Sequence, residues 1–255
     1  MQLVDTHCHL DAASFDADRD AVIRRARDAG VTRQVIPAIN RETRDAVRLL
    51  CEQYDGLYPA YGFHPMYLDD QKHEYVDELR EYVANHKTYA IGECGLDFFV
   101  EGLDADEQKW FFEEQLRIAR DLKLPAIIHA RRAVDQVLSA IKRFGPLTGV
   151  VHSFPGSYDQ ASRLNDLGFK ISLGGPITYE RANKLRGLVK TIPLDWLMLE
   201  SDAPDQPDSQ IRGQRNEPNR VRRICEEVAL LRDEDETHIA AVTTDNAIKL
   251  FGLPA

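Results

Sequence analysis

Residues 3–9 read LVDTHCH. The run opens apolar and closes on two histidines one residue apart, His7 and His9. Alternate residues of a strand share a face, so a strand here aims both imidazoles at one spot. Seven later runs have a comparable build: RQVIPAI (33–39), LYPAYGF (57–63), YAIGECG (89–95), PAIIHA (125–130), GVVHSF (149–154), FKISLGG (169–175) and WLMLESD (196–202). Several are almost wholly apolar in their first half, as strands buried on both faces of a parallel sheet must be. Charged amphipathic stretches alternate with them. In 107–123, EQKWFFEEQLRIARDLK, residues Phe112, Leu116, Ala119 and Leu122 recur at helical spacing. Gly30 stands where a helix over 17–29 ends. Ser157 and Gln160 form an S-x-x-Q capping box that opens a helix over 158–167. Stretches 217–231 and 234–251 predict two closing helices. Eight β/α units of about 30 residues match the usual length of a (β/α)₈ barrel. The alternative is a doubly wound open sheet, but no GxGxxG follows the first strand. The expectation is therefore an α/β fold, a (β/α)₈ TIM barrel, in one domain over 1–255.

The composition fits an ordinary globular chain, with 43% hydrophobic and 29% charged residues in 255. No apolar run approaches the ~20 residues of a membrane span. The N-terminus lacks the features of a signal peptide, so the expected location is cytoplasmic. Cys8, Cys51, Cys94 and Cys225 form no CxxC pair, which argues against a zinc ribbon and for free thiols. The net charge of -10 repels duplex DNA at long range and excludes a general nucleic-acid coat. A nucleic-acid substrate held by a local basic patch or a metal remains compatible with it. No obligate protein partner is evident.

Barrel enzymes place their chemistry at the C-terminal ends of the strands. Read there, strand 1 ends in His7 and His9, strand 3 runs into His64, and strand 4 carries Glu93 and Asp97. Strand 5 ends in His129, strand 6 in His152, and strand 8 in Glu200, Ser201 and Asp202. Five of the eight histidines thus reach one rim, whereas His73, His86 and His238 lie in charged, helical surroundings and read as surface residues. A set of His7, His9, Glu93, His129, His152 and Asp202 suits two divalent ions bridged by a carboxylate. Glu93 is the natural bridge, one oxygen to each ion, and a metal-acidified water supplies the nucleophile. Imidazole-rich sites favour Zn²⁺, Mn²⁺ or Fe²⁺, while Mg²⁺ prefers oxygen ligands. Asp202 is the expected proton acceptor. His64 reads as a substrate contact or a support for a ligand rather than as a ligand. By strand alternation Cys8 and Cys94 point away from the ligands beside them. Arg131, Arg132, Arg212 and Arg215, with Arg220 close behind, gather near the rim and suggest an anionic substrate, phosphate first. The alternative for these arginines is surface ion pairing with Asp205 and Glu217.

Taken in order, DTHCHLD, GFHP, GECGLD, the H-A-R-R segment, VHSFPGS, ESDAPDQP and RNEPNR resemble the TatD family of metal-dependent deoxyribonucleases and related hydrolases. The resemblance spans essentially the whole chain. It implies a (β/α)₈ barrel and a two-metal site with His7, His9, Glu93, His129, His152 and Asp202 as ligands. It also implies hydrolysis of DNA, often as a 3′–5′ exonuclease on single strands, with added Mg²⁺. Some relatives are assigned deacylation of D-aminoacyl-tRNA, and related barrels hydrolyse small amides, esters or lactones, sometimes with a carboxylated lysine where this chain has Glu93. Two positions depart from the family pattern: Ala130 replaces a frequent serine, and Cys94 replaces the isoleucine of GEIGLD. The stretch GGPITYERANKLR (174–186) resembles a bacterial branch other than the DNase that gave the family its name.

Overall fold

The computed structural model describes Met1–Pro254. Its eight strands are β1 (Leu3–Asp5), β2 (Val31–Pro37), β3 (Leu57–Tyr61), β4 (Ala90–Asp97), β5 (Ala126–Arg131), β6 (Gly149–Val151), β7 (Phe169–Leu173) and β8 (Leu197–Leu199). Each pairs in parallel with the next in chain order. The helices on the outside are α1 (Arg19–Asp28), α2 (Arg44–Gln53), α3 (Tyr75–Asn85), α4 (Ala105–Leu122), α5 (Val134–Phe144), α6 (Tyr158–Asp166), α7 (Asn183–Thr191), α8 (Val221–Arg232) and α9 (Glu236–Phe251). The circle is nearly closed. Past the strand ends, Thr6 donates to Leu199 O through its N–H (3.0 Å) and its hydroxyl (2.9 Å), and the Asp202 N–H donates to His7 O (2.9 Å). The sheet is therefore a TIM barrel, and every predicted run overlaps one of its strands.

Local chemistry sets the helix limits. Gly30, at φ +88°, ends α1 in the left-handed conformation that an L side chain seldom adopts. Ser157 and Gln160 make the reciprocal capping box at the start of α6. The predicted helix over 217–231 opens instead with a 3₁₀ turn, Pro218–Arg220, because proline is accommodated in a first turn.

Two apolar layers hold the barrel. The larger lies between strands and helices, and it takes in Cys8 and Cys94. The smaller fills the interior with Val4, Val35, Ala60, Ala90, Ile127, Val150 and Met198, drawn from seven strands, and Phe251 and Leu253 pack into it from the C-terminal segment. Helix α9 ties that end down: Asn246 Nδ2 donates to Leu197 O (2.8 Å) and Thr244 Oγ1 to Gln2 O (3.0 Å).

Three strands cover at most half of their sequence runs. β1, β6 and β8 have three residues each. His7, His9, His152, Glu200 and Asp202 thus sit just past the strand ends. There the backbone bonds alternately to its neighbours, as where Cys8 N donates to Val35 O (3.2 Å) and His9 N to Ala203 O (2.7 Å). No helix among the described residues is long and apolar enough to cross a membrane.

Candidate active site

Glu93 reaches the barrel mouth through an irregularity in β4. Ile91 pairs with Ala126 of β5 and Cys94 with Ile128, so three steps on β4 face two on β5. Plain alternation from Ala90, which faces the interior, would turn Glu93 outward; the extra residue reverses the sense. The residue is 1% exposed, and its carboxylate sits among five imidazoles. Oε2 lies 3.1 Å from His7 Nε2 and 3.5 Å from His9 Nε2. Oε1 lies 3.0 Å from His64 Nε2, 3.1 Å from His129 Nδ1 and 2.8 Å from His152 Nε2. Asp202 joins the first half, with Oδ1 3.7 Å from His7 Nε2 and 3.9 Å from His9 Nε2. One carboxylate thus divides the donors into two groups, one on each oxygen.

His129 and His152 each have a second carboxylate behind the ring. Asp97 Oδ2 lies 3.0 Å from His129 Nε2, while its Oδ1 accepts from the N–H groups of Phe99 (2.8 Å) and Val100 (3.1 Å). Glu200, fully buried behind His152, has Oε1 3.8 Å from His152 Nδ1. That oxygen accepts from Ser153 N–H (2.7 Å) and Ser153 Oγ (2.8 Å), and Ser172 bonds the other. Asp5 Oδ2 accepts from Ser201 Oγ (2.5 Å), and its Oδ1 accepts from the Ser201 N–H (2.9 Å) and the His7 N–H (3.2 Å), which fixes the backbone of two site loops.

The donor set fits divalent cations. A neutral His129 that gives its Nε2 proton to Asp97 turns a bare Nδ1 lone pair toward Glu93 Oε1. His7 and His9 likewise bring two Nε2 atoms within 3.2 Å of each other. Lone pairs that converge on a carboxylate repel unless a proton or a cation lies among them. Three groups of donor atoms are close enough for one ion each: His7, Glu93 and His152; His7, His9 and Asp202; His64, Glu93 and His129. His64 differs from the rest. Its Nδ1 accepts from the Met66 N–H (3.1 Å), so a neutral ring carries its proton on Nε2 and donates it to Glu93. Burial lowers its pKa and favours that neutral form. Burial also opposes ionisation of Glu93, but the surrounding histidines, His64, His152 and His7 first among them, outweigh it and hold the carboxyl well below its usual range. Burial raises Asp202 to about 6 against the pull of His152 and His9.

Above these donors opens a cavity of about 890 Å³, within the ~300–1,000 Å³ range of small-molecule sites. Its walls are mostly apolar, with Met66, Tyr67, Phe154, Leu173 and Leu185 among them, and Arg131 stands at the edge. The arginines sort clearly. Arg131 and Arg132 make no ion pair among the described residues, and their guanidiniums lie 3.7 and 4.6 Å from the Phe99 ring centroid. Arg212 is exposed and outside the cavity lining. Arg215 is bound to Asp18 (2.8 Å) and Glu217 (2.9 Å), and Arg220 to Asp208 (2.5 Å). His73 pairs with Glu107 (2.8 Å) on the surface, and neither His86 nor His238 enters the cavity. The sequence reading assigned no part to Gln206, which lines the cavity and donates to Ser153 Oγ (2.6 Å) and to Asp202. No spacing rule marks it; it stands in a turn after β8.

A family model described as TatD related DNase matches residues 4–252. The chain is 40% identical over 256 residues to the uncharacterized metal-dependent hydrolase YjjV of Escherichia coli K12, covering 99% of both. It is 36% identical to the 3'-5' ssDNA/RNA exonuclease TatD of Erwinia tasmaniensis, covering 98% of this chain and 100% of that one. The crystal structure of YjjV superposes with a TM-score of 0.95 at 39% identity, covering 99% of this chain and 98% of that one.

Proposed function

The chain belongs to the TatD family of metal-dependent hydrolases, and from that premise we propose that it cleaves phosphodiester bonds at the ends of single-stranded DNA, as a 3′–5′ exonuclease. The observation that carries this reading is the cavity as a whole: donors split across the two oxygens of Glu93 at its floor, apolar walls, and an unpaired arginine at its edge. Likeness to a relative named as a single-strand exonuclease supports the substrate class. His7, His9 and Asp202 would hold one divalent ion, His129 and His152 the other, with Glu93 shared; Mg²⁺, Mn²⁺ and Zn²⁺ are the candidates. When bound, such ions polarise a phosphoryl oxygen and acidify a water.

The protein's own groups do the rest. Asp202 turns Oδ1 toward the donors and accepts the proton of the attacking water. His64 donates its Nε2 proton to Glu93 and fixes that carboxylate's orientation. Asp97 holds His129 in one tautomer. Arg131, with Arg132 beside it, takes the flanking phosphate; both are steadied on Phe99. Tyr67, exposed at the cavity wall, presents a face against which a base can lie. Arg215, already paired with two carboxylates, serves as a strut in this scheme, and Arg212 contacts only longer strands. The chain's free cysteines suit a cytoplasmic setting.

The deciding experiment is a turnover screen of protein loaded with Mg²⁺, Mn²⁺ or Zn²⁺, with metal content measured in parallel. Its substrates are single-stranded DNA, RNA, D-aminoacyl-tRNA, a lactone and a dipeptide. Release of mononucleotides from the 3′ end, with two ions per chain, is expected. Turnover of the lactone, dipeptide or aminoacyl-tRNA alone would overturn the nuclease reading.

A further inference from the structure

We propose that Gln206 is a positioning residue that sets the orientation of Asp202 and links it to the support behind His152; this rests on the assignment of Asp202 as a metal ligand. The Gln206 amide nitrogen has two hydrogens, held in one plane and pointing in different directions. One goes to Ser153 Oγ (2.6 Å) and the other to Asp202 Oδ2. Ser153 spends its own hydroxyl hydrogen on Glu200 Oε1 (2.8 Å), so toward Gln206 it accepts. Glu200 in turn faces His152 Nδ1. A single amide therefore spans the two halves of the site: Asp202 beside His7 and His9 on one side, and the group behind His152 on the other.

The bond matters because of what it leaves free. With Oδ2 occupied, Asp202 offers only Oδ1 to the imidazoles of His7 and His9. Without the amide, the carboxylate can rotate and present both oxygens to a cation, and no oxygen keeps a fixed direction for receiving a proton. The backbone around the amide is itself constrained. Asp202 and Gln206 have φ values of +57° and +49°, Asp205 N–H donates to Asp202 O (2.8 Å), and the Asn216 amide holds Asp205 O (2.7 Å). A side chain on so tight a turn has few ways to relax, so its direction is passed to its acceptors. Gln206 Oε1 keeps no need for a protein donor, since the residue is only half-buried at the cavity wall.

The test is a double-mutant cycle on the full chain read by calorimetric Mn²⁺ binding to metal-free protein, with hydrolysis of bis(p-nitrophenyl) phosphate as a second readout. Gln206→Met keeps the length and removes both hydrogen bonds. It should weaken the tighter Mn²⁺ site about tenfold, the scale of losing a support behind a ligand. It should lower kcat by a similar factor with KM within twofold. In the Asp202→Asn background the same change should alter Mn²⁺ affinity less than twofold, because the amide acts through the carboxylate. Equal weakening in both backgrounds, or parental affinity in the single variant, overturns the proposal. Gln206→Asn, too short to reach both acceptors, must reproduce the effect; circular dichroism and thermal melts establish that each variant is folded. Should the parent hydrolyse no phosphodiester while the Asp202-dependent loss of Mn²⁺ affinity persists, the nuclease reading falls and the role of Gln206 stands.

Discussion

Asp202 is proposed to hold two duties, metal ligand and proton acceptor. It faces the His7 and His9 imidazoles with one oxygen and is buried enough for its pKa to rise to about 6. Asparagine keeps the shape and one ligating oxygen but accepts no proton. Asp202→Asn should retain most of the bound metal, lower single-turnover rates by roughly 10²–10⁴, and leave KM nearly unchanged; a rate within a few-fold of the parent would remove Asp202 from this role. The arginines make a second prediction. Alanine at Arg131 and Arg132 together should raise KM for an oligonucleotide at least several-fold more than for a small uncharged ester, and should flatten the salt dependence of oligonucleotide binding. Alanine at Arg215 should instead lower the melting temperature and spare KM. At this scale the sequence was most informative about residue type and least about commitment. Five rim histidines and Glu93, which the structure brings together, were legible as a group because the residue types able to bind a metal are few. That Arg215 is bound to Asp18, 197 positions away in the chain, was not, because ion pairing depends on which loops meet. Gln206 carried no signal, since a glutamine in a turn is chemically ordinary until its acceptors are known.

Single elements carry strain that periodicity does not reveal. β4 was recognisable as a strand from YAIGECG, yet its irregular register, which turns Glu93 inward, follows from the pairing with β5 and not from its own residues. The same pairing fixes Gly95. At φ +141° a side chain there is strained, and an added Cβ would lie 2.0 Å from His129 O, on the neighbouring strand. Gly95→Ala should therefore force β4 and β5 apart at the level of His129. We expect a loss of about 2–4 kcal/mol in urea denaturation, the cost typical of backbone strain in a buried element. Mn²⁺ affinity should fall with it. Parental stability would mean that the two strands separate there without penalty. The three-residue strands β1, β6 and β8 mark the limit of reading elements from sequence: their apolar halves predicted strands correctly, but where the ladder stops depends on how far the barrel mouth opens.

In the whole molecule, stability and chemistry occupy opposite ends. The interior layer is sealed below by Phe251 and Leu253, while the donors sit above it at the mouth. Phe251→Ala should cost about 3–5 kcal/mol, as large-to-small changes in cores do, and leave Mn²⁺ affinity within twofold of the parent once folded. A large drop in affinity would show the two ends to be mechanically coupled. The barrel was legible from eight alternating runs because each β/α unit repeats the same pattern. The seam between β8 and β1 has a consequence of its own. Asp202 is made long after His7, yet the two meet across that seam, where Asp202 N–H reaches His7 O. Loop closure over such a span comes late in folding. A chain interrupted before its last strand has its first two histidines but no Asp202 beside them. The nascent protein thereby lacks its assembled donor set until all eight strands have been made.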